Sequence, residues 1–487
     1  MTTLFTIGDS ISQGFRSGAA ADTGLSYSTL LARKLGLYPG NYRFPEVWAH
    51  GGLPANIEIV LRELNRLHGS NIRGIEWLAA ASTINNLLDT VEDYYERGPG
   101  RETIKAPGGI SSYHNVAVRG FDVADAWTVT AELATGEIMS QKAKRGRTDS
   151  LFGMPNASLY RTAQKVLNPS LSKQFDTFSQ LSWLDYQVTQ QGGVENLCLL
   201  LGANNALGTV LSLEISQTPG DGSPAQMSHL DRKAANWNLW HPTDFKTEYQ
   251  LLLEKVDASM KQNTNPDWKV FIGTVPLVSI APFLKGVGPT TEIDGDLYFK
   301  YYTYFPFSED FAYRNDRHLT INQVLHIDNC IRAYNEFIVS EVSRLNTAYG
   351  PQKHYYVVDI AKALHDMAWK RNSGNPTYPF PTYFEFIYPR VDTKYYHVSA
   401  NGTMKQGGVF SLDGVHPSAI GQGLIAHEFI KVMQEAGVAI LPFTDTEWDQ
   451  IFATDTLYKK PITLMGELYE HERLADFILQ TSKILKD

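Results

Sequence analysis

Ser10 stands where a fold could place a reactive side chain. An apolar run that begins at Leu4 ends at Gly8, and Asp9 and Ser10 follow at once. Ligands of open α/β sheets bind beyond the carboxyl ends of the strands, so a serine in a tight turn after this run is a candidate nucleophile. A serine hydroxyl needs a base that takes its proton and donors that stabilise an oxyanion. Both would have to come from elsewhere in the chain.

Three later stretches could supply those groups. Two of them end apolar, strand-like runs, and the third is a loop near the end of the chain that carries an aspartate and a histidine. The stretches are Asn115-Val116-Ala117-Val118-Arg119-Gly120, Gly202-Ala203-Asn204-Asn205 and Asp413-Gly414-Val415-His416-Pro417.

Strand and helix patterns alternate around these stretches. Helical spacing of apolar residues recurs, for example over Tyr27–Leu35, Ile57–Leu67 and Gln323–Leu345. The alternation predicts an α/β fold in which a mostly parallel, five-stranded sheet carries helices on both faces, as a three-layer α/β/α, flavodoxin-like arrangement. The predicted strands cover residues 4–8, 113–120, 197–201, 268–276 and 355–360.

The order of the chain predicts one large domain. If Ser10 and His416 share a site, nearly everything between them belongs to one catalytic domain, 1–439, and residues 440–487 form a helical C-terminal appendage. The stretch from Gly208 to Trp240 is rich in Gly, Pro and Ser and is predicted to be a long loop or lid. The large helical and aromatic-rich insertions are expected at about 40–110, 208–245, 283–318 and 370–408.

Composition excludes several classes of protein. The 487 residues are 43% hydrophobic and 20% charged, as in a globular protein with a sizeable core. The formal net charge of −9 argues against nucleic acid or an anionic membrane surface as a partner. No apolar run approaches the roughly 20 residues of a membrane span. Without a signal peptide before the first strand, the expected location is cytoplasmic, or secreted if a leader was removed, and the oligomeric state stays open.

The stretches around Ser10, Gly120, Asn204 and His416 together resemble the SGNH (GDSL-type) hydrolases, a family of serine esterases and lipases. They occur in the block order of that family, and the resemblance covers roughly residues 1–435. It implies a carboxylic ester hydrolase that works through an acyl-Ser10 intermediate. It implies no metal and no organic cofactor.

The resemblance also assigns roles to individual residues. Ser10 would be the nucleophile, His416 its general base, and Asp413 the carboxylate that fixes the imidazole tautomer. The oxyanion hole would consist of the backbone N–H of Ser10, the backbone N–H of Gly120 and the side-chain amide of Asn204.

The third stretch departs from the family pattern. The family usually has Gly-x-Asn-Asp there, whereas this chain has Asn205 in place of the aspartate. The oxyanion residue Asn204 is retained, but the way in which its loop is braced must differ.

The resemblance indicates only the class of the substrate. An acyl lipid, another carboxylic ester and an acylated carbohydrate all fit. Aromatic residues are concentrated at 298–307 and 378–396, where they either pack inside insertions or line the substrate cleft. Two alternative functions use the same fold. One is an acyltransferase with the same triad, and the other is an inactive protein that binds glycan or lipid.

Overall fold

The computed structural model describes residues 1–72, 76–145, 154–399 and 401–465. Four of its strands form the main sheet, and the others form smaller antiparallel units. In chain order the strands are β1 (Thr2–Gly8), β2 (Val194–Leu200), β3 (Lys269–Gly273), β4 (Leu284–Ile293), β5 (Asp296–Tyr304), β6 (Leu319–Thr320), β7 (Tyr355–Val358), β8 (His397–Val398) and β9 (Met404–Gln406).

The α-helices vary in length from a single turn to 29 residues. In chain order they are α1 (Ser10–Gln13), α2 (Tyr27–Lys34), α3 (Ile57–His68), α4 (Glu76–Glu96), α5 (Asp125–Thr128), α6 (Ala131–Arg145), α7 (Ser158–Leu167), α8 (Gln180–Gln190), α9 (Asn204–Ser212), α10 (His229–Ala234), α11 (Pro242–Met260), α12 (Glu309–Arg314), α13 (Ile321–Tyr349), α14 (Ile360–Met367), α15 (Ala419–Glu435), α16 (Asp445–Thr454) and α17 (Thr456–Lys459).

The main sheet is parallel, with the order β1-β2-β3-β7. Successive side chains of a strand point to opposite faces, and here they enter two different hydrophobic clusters. In β2, for example, Leu197 and Leu199 belong to one cluster, whereas Cys198 and Leu200 belong to the other. Helices α8, α11 and α13 contribute to the first cluster, and α2, α14, α15 and α16 to the second. The predicted α/β class with a parallel sheet is confirmed.

The prediction of a fifth strand over residues 113–120 is wrong. This stretch runs beside β1 and forms one isolated parallel bridge with it, between Thr6 and Asn115. Three backbone hydrogen bonds, made with Thr6 and Gly8, hold it to β1. The Asn115 side chain also bonds locally, since its Oδ1 accepts the backbone N–H of Ala117 at 3.0 Å. The stretch therefore follows β1 without forming a regular strand of the sheet.

The prediction of a long loop over 208–240 is wrong in part, because helices interrupt the stretch. Helix α9 extends through Gly208, and α10 lies in the middle of the stretch. Helix α10 begins where Ser228 accepts the backbone N–H of Asp231, so a serine that resembles a loop residue in the sequence is a helix cap.

The two aromatic-rich segments have different environments. The first belongs largely to the antiparallel hairpin β4–β5, in which Tyr298, Tyr302 and Tyr304 are buried. These side chains pack in the core, as one of the two interpretations predicts. In the second segment Phe384 is buried, whereas Phe386 is 77% exposed.

The C-terminal part of the described chain packs against the domain that precedes it. Trp448 and Phe452 of α16 are buried in the same cluster as Phe429 of α15. The rest of the predicted appendage, residues 466–487, lies outside the described residues. Over the described ranges, no helix has the length and apolar character needed to cross a bilayer.

Candidate active site

Ser10 is the first residue of α1, immediately beyond the carboxyl end of β1. Asp9 caps this short helix, since its carboxylate accepts the backbone N–H of Ile11 at 2.9 Å. The turn brings Ser12 back over the strand end, and a Cβ atom at Gly8 would lie 2.1 Å from Ser12 Oγ. Only glycine leaves room for this turn, so Gly8 has a steric role that fits its place directly before Asp9 and Ser10.

Long amide side chains hold α1 in place. Gln422 donates to the carbonyl of Ile11 at 3.0 Å and accepts the backbone N–H of Tyr27 at 2.8 Å. Asn115 donates to the carbonyl of Ser12 at 2.8 Å. These buried bonds fix the orientation of the short helix and therefore the position of Ser10.

Ser10, His416 and Asp413 lie in hydrogen-bonding contact. Ser10 Oγ is 2.9 Å from Nε2 of His416, although the two residues are 406 positions apart in the chain. Nδ1 of the same ring is 2.9 Å from Oδ2 of Asp413. The carboxylate can only accept, so Nδ1 carries the proton and Nε2 is free to accept the serine proton. The structure thus brings together the three residues of the predicted triad.

The carboxylate of Asp413 is held from several sides. Its Oδ1 accepts the backbone N–H groups of Val415 and His416 at 3.0 and 2.8 Å, and its Oδ2 accepts the N–H of Gly18 at 3.0 Å. Burial by itself would raise the pKa of Asp413, but the charge of His416 and these hydrogen bonds hold the pKa below its ordinary value. Asp413 is therefore ionised over the neutral range, as a carboxylate that stabilises an imidazolium must be.

Two of the three predicted oxyanion donors have free backbone N–H groups. Within the described part of the chain, neither the N–H of Ser10 nor that of Gly120 donates to another residue. Gly120 has a φ of 75°, a left-handed conformation that side chains disfavour. The third predicted donor, Asn204, gives a hydrogen bond from its side-chain amide to the carbonyl of Phe121 at 2.8 Å. This bond joins the start of α9 to the residue after Gly120 and leaves the second amide N–H available.

Asn205, the departure from the family pattern, is fully buried. Its Oδ1 accepts the backbone N–H of Val123 at 3.2 Å, and its Nδ2 donates to Oε2 of Glu248 at 3.4 Å. The loop that follows Gly120 is therefore braced by a neutral amide placed between a backbone donor and a buried acid.

The sequence analysis missed a buried polar network behind this loop. Asp125 Oδ1 accepts from His229 Nδ1 and from Arg232 Nη2, both at 2.7 Å. His229 Nε2 lies 3.1 Å from the hydroxyl of Tyr160 on α7. No spacing in the sequence marks these residues, because they meet only when α5, α7 and α10 pack together.

Gln180 is a second residue that the sequence analysis missed. Its Nε2 donates to the carbonyls of Gly8 and Val116, each at 2.8 Å. The side chain thus ties the end of β1 to the segment that leads to Gly120. Its only signal in the sequence is a polar residue at the start of a helix, which is common.

The cleft next to Ser10 and His416 has mainly apolar walls. Leu277, Val278 and Ile280, which follow β3, form one side, and Phe410 and Pro417 belong to another. No residue from 298–307 or 378–396 is among the described residues that line this cleft. This cavity therefore does not support the interpretation that those aromatic segments line the substrate cleft.

Asp9 is a buried acid close to the triad. Burial raises its pKa to about 7, although the hydrogen bond from Ile11 and the charge of His416 act in the opposite direction. Among the described residues, no group of three or more His, Cys, Asp or Glu side chains is arranged to hold a metal ion.

Comparison with known proteins adds no identification. No protein-family model matches the chain, and no curated protein is significantly similar to it.

Proposed function

We propose that this protein is a serine esterase of the SGNH type that hydrolyses carboxylic esters. The observation that carries the proposal is the chain of contacts from Ser10 Oγ to His416 Nε2 and from His416 Nδ1 to Asp413, each at 2.9 Å. A hydroxyl, an imidazole and a carboxylate in this order form the catalytic triad of serine hydrolases. The substrate class is an acyl lipid or an acylated carbohydrate.

In the first half of the reaction, Ser10 Oγ attacks the ester carbonyl carbon while its proton passes to Nε2 of His416. The resulting imidazolium is stabilised by the carboxylate of Asp413. The oxyanion accepts hydrogen bonds from the N–H groups of Ser10 and Gly120 and from the Asn204 amide. The C–O bond to the alcohol then breaks, and the alcohol leaves with the proton from His416.

In the second half, water replaces the alcohol. His416 takes a proton from the water, and the hydroxide attacks the acyl-Ser10 carbonyl carbon. Breakdown of this intermediate releases the carboxylic acid and returns a proton to Ser10 Oγ. The mainly apolar cleft beside Ser10 suits the acyl chain or another apolar part of the substrate.

The same proposal extends to the architecture. The division of the sheet side chains between two hydrophobic clusters supports a three-layer, flavodoxin-like arrangement. In that arrangement the segment at 114–118, beside β1, takes the place of the missing fifth strand. Ser10, Gly120 and Asn204 would then all lie at the carboxyl edge of the sheet, where ligands bind.

Hydrolysis of 4-nitrophenyl esters from acetate to decanoate, by the wild type and by Ser10→Ala, tests this function. We expect wild-type turnover that the substitution abolishes, while Ser340→Ala, at an exposed position on α13, retains it. A fluorophosphonate should add its phosphonyl group to the wild type and not to Ser10→Ala, as read by intact mass. Ester hydrolysis that persists in Ser10→Ala would refute the proposed nucleophile.

A further inference from the structure

Arg119 precedes the candidate oxyanion residue Gly120, and no carboxylate of the described residues forms an ion pair with it. Its Nη2 donates to Ser158 Oγ at 2.6 Å, and its Nε is buried without a hydrogen-bond partner. Loss of hydration lowers the pKa of Arg119 to about 10, and no nearby acid offsets that effect. The guanidinium remains charged at neutral pH, and the residue as a whole is partly exposed.

The contact with Ser158 places this guanidinium at the beginning of α7. This helix has ten residues, and its N-cap, Ala157, has a φ of 51° and supplies no side-chain cap. The backbone N–H groups of residues 158–160 donate to no other described residue. The amino end of a helix carries partial positive charge, so it repels an arginine and attracts an anion.

Both features lie beside the candidate active site. A Cβ atom at Gly120 would be 3.4 Å from Leu159 Cδ1, so the first turn of α7 is adjacent to the proposed oxyanion donor. The guanidinium carbon of Arg119 lies 5.6 Å from the centre of the Phe15 ring. The Phe15 ring also contacts His416 edge to face, with ring centres 4.7 Å apart.

We infer that Arg119 and the uncapped amino end of α7 form an anion subsite that binds a carboxylate, phosphate or sulfate group of the ester substrate. The inference rests on the proposed function, because it names a substrate class for the same site. It restricts that class to esters whose acyl or alcohol part carries a negative charge.

The chemistry of the subsite favours an oxyanion over a neutral group. A guanidinium binds carboxylate and phosphate oxygens through paired N–H donors, and such charge-assisted bonds are stronger than neutral ones. An anion would also supply the counter-charge that the described residues do not. The neighbouring cleft has mainly apolar walls and would bind the uncharged part of the substrate.

Two matched pairs of esters test the inference. The mono-4-nitrophenyl ester of adipic acid is compared with 4-nitrophenyl hexanoate, which places the charge in the acyl part. Then 4-acetoxybenzoate is compared with its methyl ester, which places the charge in the alcohol part. Each kcat/KM is divided by the rate constant for hydroxide-catalysed hydrolysis of the same ester. We expect a preference of about tenfold or more for the charged member of one pair, and that pair identifies the charged part.

Substitution of Arg119 shows whether this residue is the source of the preference. Arg119→Gln should abolish the preference while changing kcat/KM for the neutral ester by less than about threefold. Arg119→Lys should retain part of it, since the charge remains without the paired donors. Arg314→Gln removes the same charge from a side chain that is 74% exposed and should leave the preference unchanged.

Binding is measured separately, so that the inference does not depend on turnover. Calorimetric titration of Ser10→Ala with sodium sulfate, at constant ionic strength, should show one site that is lost in Ser10→Ala/Arg119→Gln. If the wild type cleaves no ester, the proposed function fails, and this titration still decides the subsite. Absence of sulfate binding and of any charged-ester preference would overturn the inference. Equal losses on charged and neutral esters would also overturn it and would assign Arg119 a positioning role through Phe15 and His416.

Discussion

The side-chain amide of Asn205 donates a hydrogen bond to a carboxylate oxygen of Glu248, and the two atoms are 3.4 Å apart. The other end of the same amide accepts the backbone N–H of Val123. Burial and the charge of Asp122 raise the pKa of Glu248 well above its ordinary value. An ionised aspartate at position 205 could accept from Val123, but it could not donate to Glu248 as the amide does. The departure from the family pattern is therefore matched by a second residue on α11.

Asn205→Asp should consequently lower both stability and activity, although aspartate is the usual residue at this place in the SGNH hydrolases. It would place a second carboxyl group beside a buried acid, and the two groups could not both ionise. We expect a lower Tm and a fall in ester hydrolysis, with both recovering in Asn205→Asp/Glu248→Gln. Thermal unfolding of the wild type, the two single variants and the double variant should give a coupling free energy of about 1–3 kcal/mol between the two positions. Additive effects of the two substitutions would show that the residues are not coupled.

Gly120→Ala separates backbone strain from the supply of an oxyanion donor. Gly120 and Gly36 have φ values of 75° and 70°, and a Cβ atom at Gly36 would meet nothing within 4 Å. Alanine in this conformation costs roughly 1–2 kcal/mol, so both substitutions should lower the free energy of unfolding by similar amounts. Only Gly120→Ala should also lower kcat, by about 100-fold or more, because it displaces an oxyanion donor. Chemical denaturation and ester kinetics of both variants provide the comparison, and equal kinetics would remove Gly120 from the oxyanion hole.

Asp413→Asn tests whether the carboxylate orients the imidazole. The amide would favour the wrong tautomer of His416, and a fall in kcat on the order of 10⁴ is expected with the fold retained. Asp392→Asn is the matched control, since Asp392 Oδ1 also accepts two backbone N–H groups, from Lys394 and Gly407 at 2.8 and 2.7 Å, without touching a histidine. Similar kinetic losses in both variants would assign Asp413 a loop-holding role only.

The sequence predicts some features of this site because they are local. Asp413 and His416 are three residues apart, so one turn of chain suffices to bring their side chains together. The four strands of the main sheet are built around short apolar runs, as expected for strands buried on both faces. Such patterns depend on neighbours along the chain and are visible without a structure.

Other features depend on distant contacts and leave no pattern in the sequence. Gln180 and Gln422 hold the end of β1 and the helix α1, yet each is one of many polar helical residues. Asn115 lies in an apolar run that predicts a strand, but its side chain donates to the backbone of Ser12 in α1. The partner of Asn205 is found only when α9 and α11 pack together. Long-range hydrogen bonds of this kind form only in the folded chain.

Asp9→Asn should change how stability depends on pH. The buried carboxyl of Asp9 has a pKa of about 7, well above the value of 3.8 for an unperturbed aspartate. Between about pH 5 and pH 7 the folded protein therefore holds a proton at Asp9 that the unfolded chain has lost. Each such proton lowers the free energy of unfolding by about 1.4 kcal/mol for every pH unit of increase, so the stability contributed at low pH is lost as the pH rises through 7.

Asparagine can still accept the N–H of Ile11 but does not titrate, so Asp9→Asn should lose less stability than the wild type between pH 5 and pH 8. The measurement is the free energy of unfolding in urea at several pH values, and the difference between the two proteins isolates Asp9 from other buried acids such as Asp122. Asp294→Asn, in the exposed turn between β4 and β5, serves as the control and should follow the wild-type curve. Parallel curves for Asp9→Asn and the wild type would mean that Asp9 is ionised in the folded protein throughout this range, and that the hydrogen bond from Ile11 and the charge of His416 outweigh its burial.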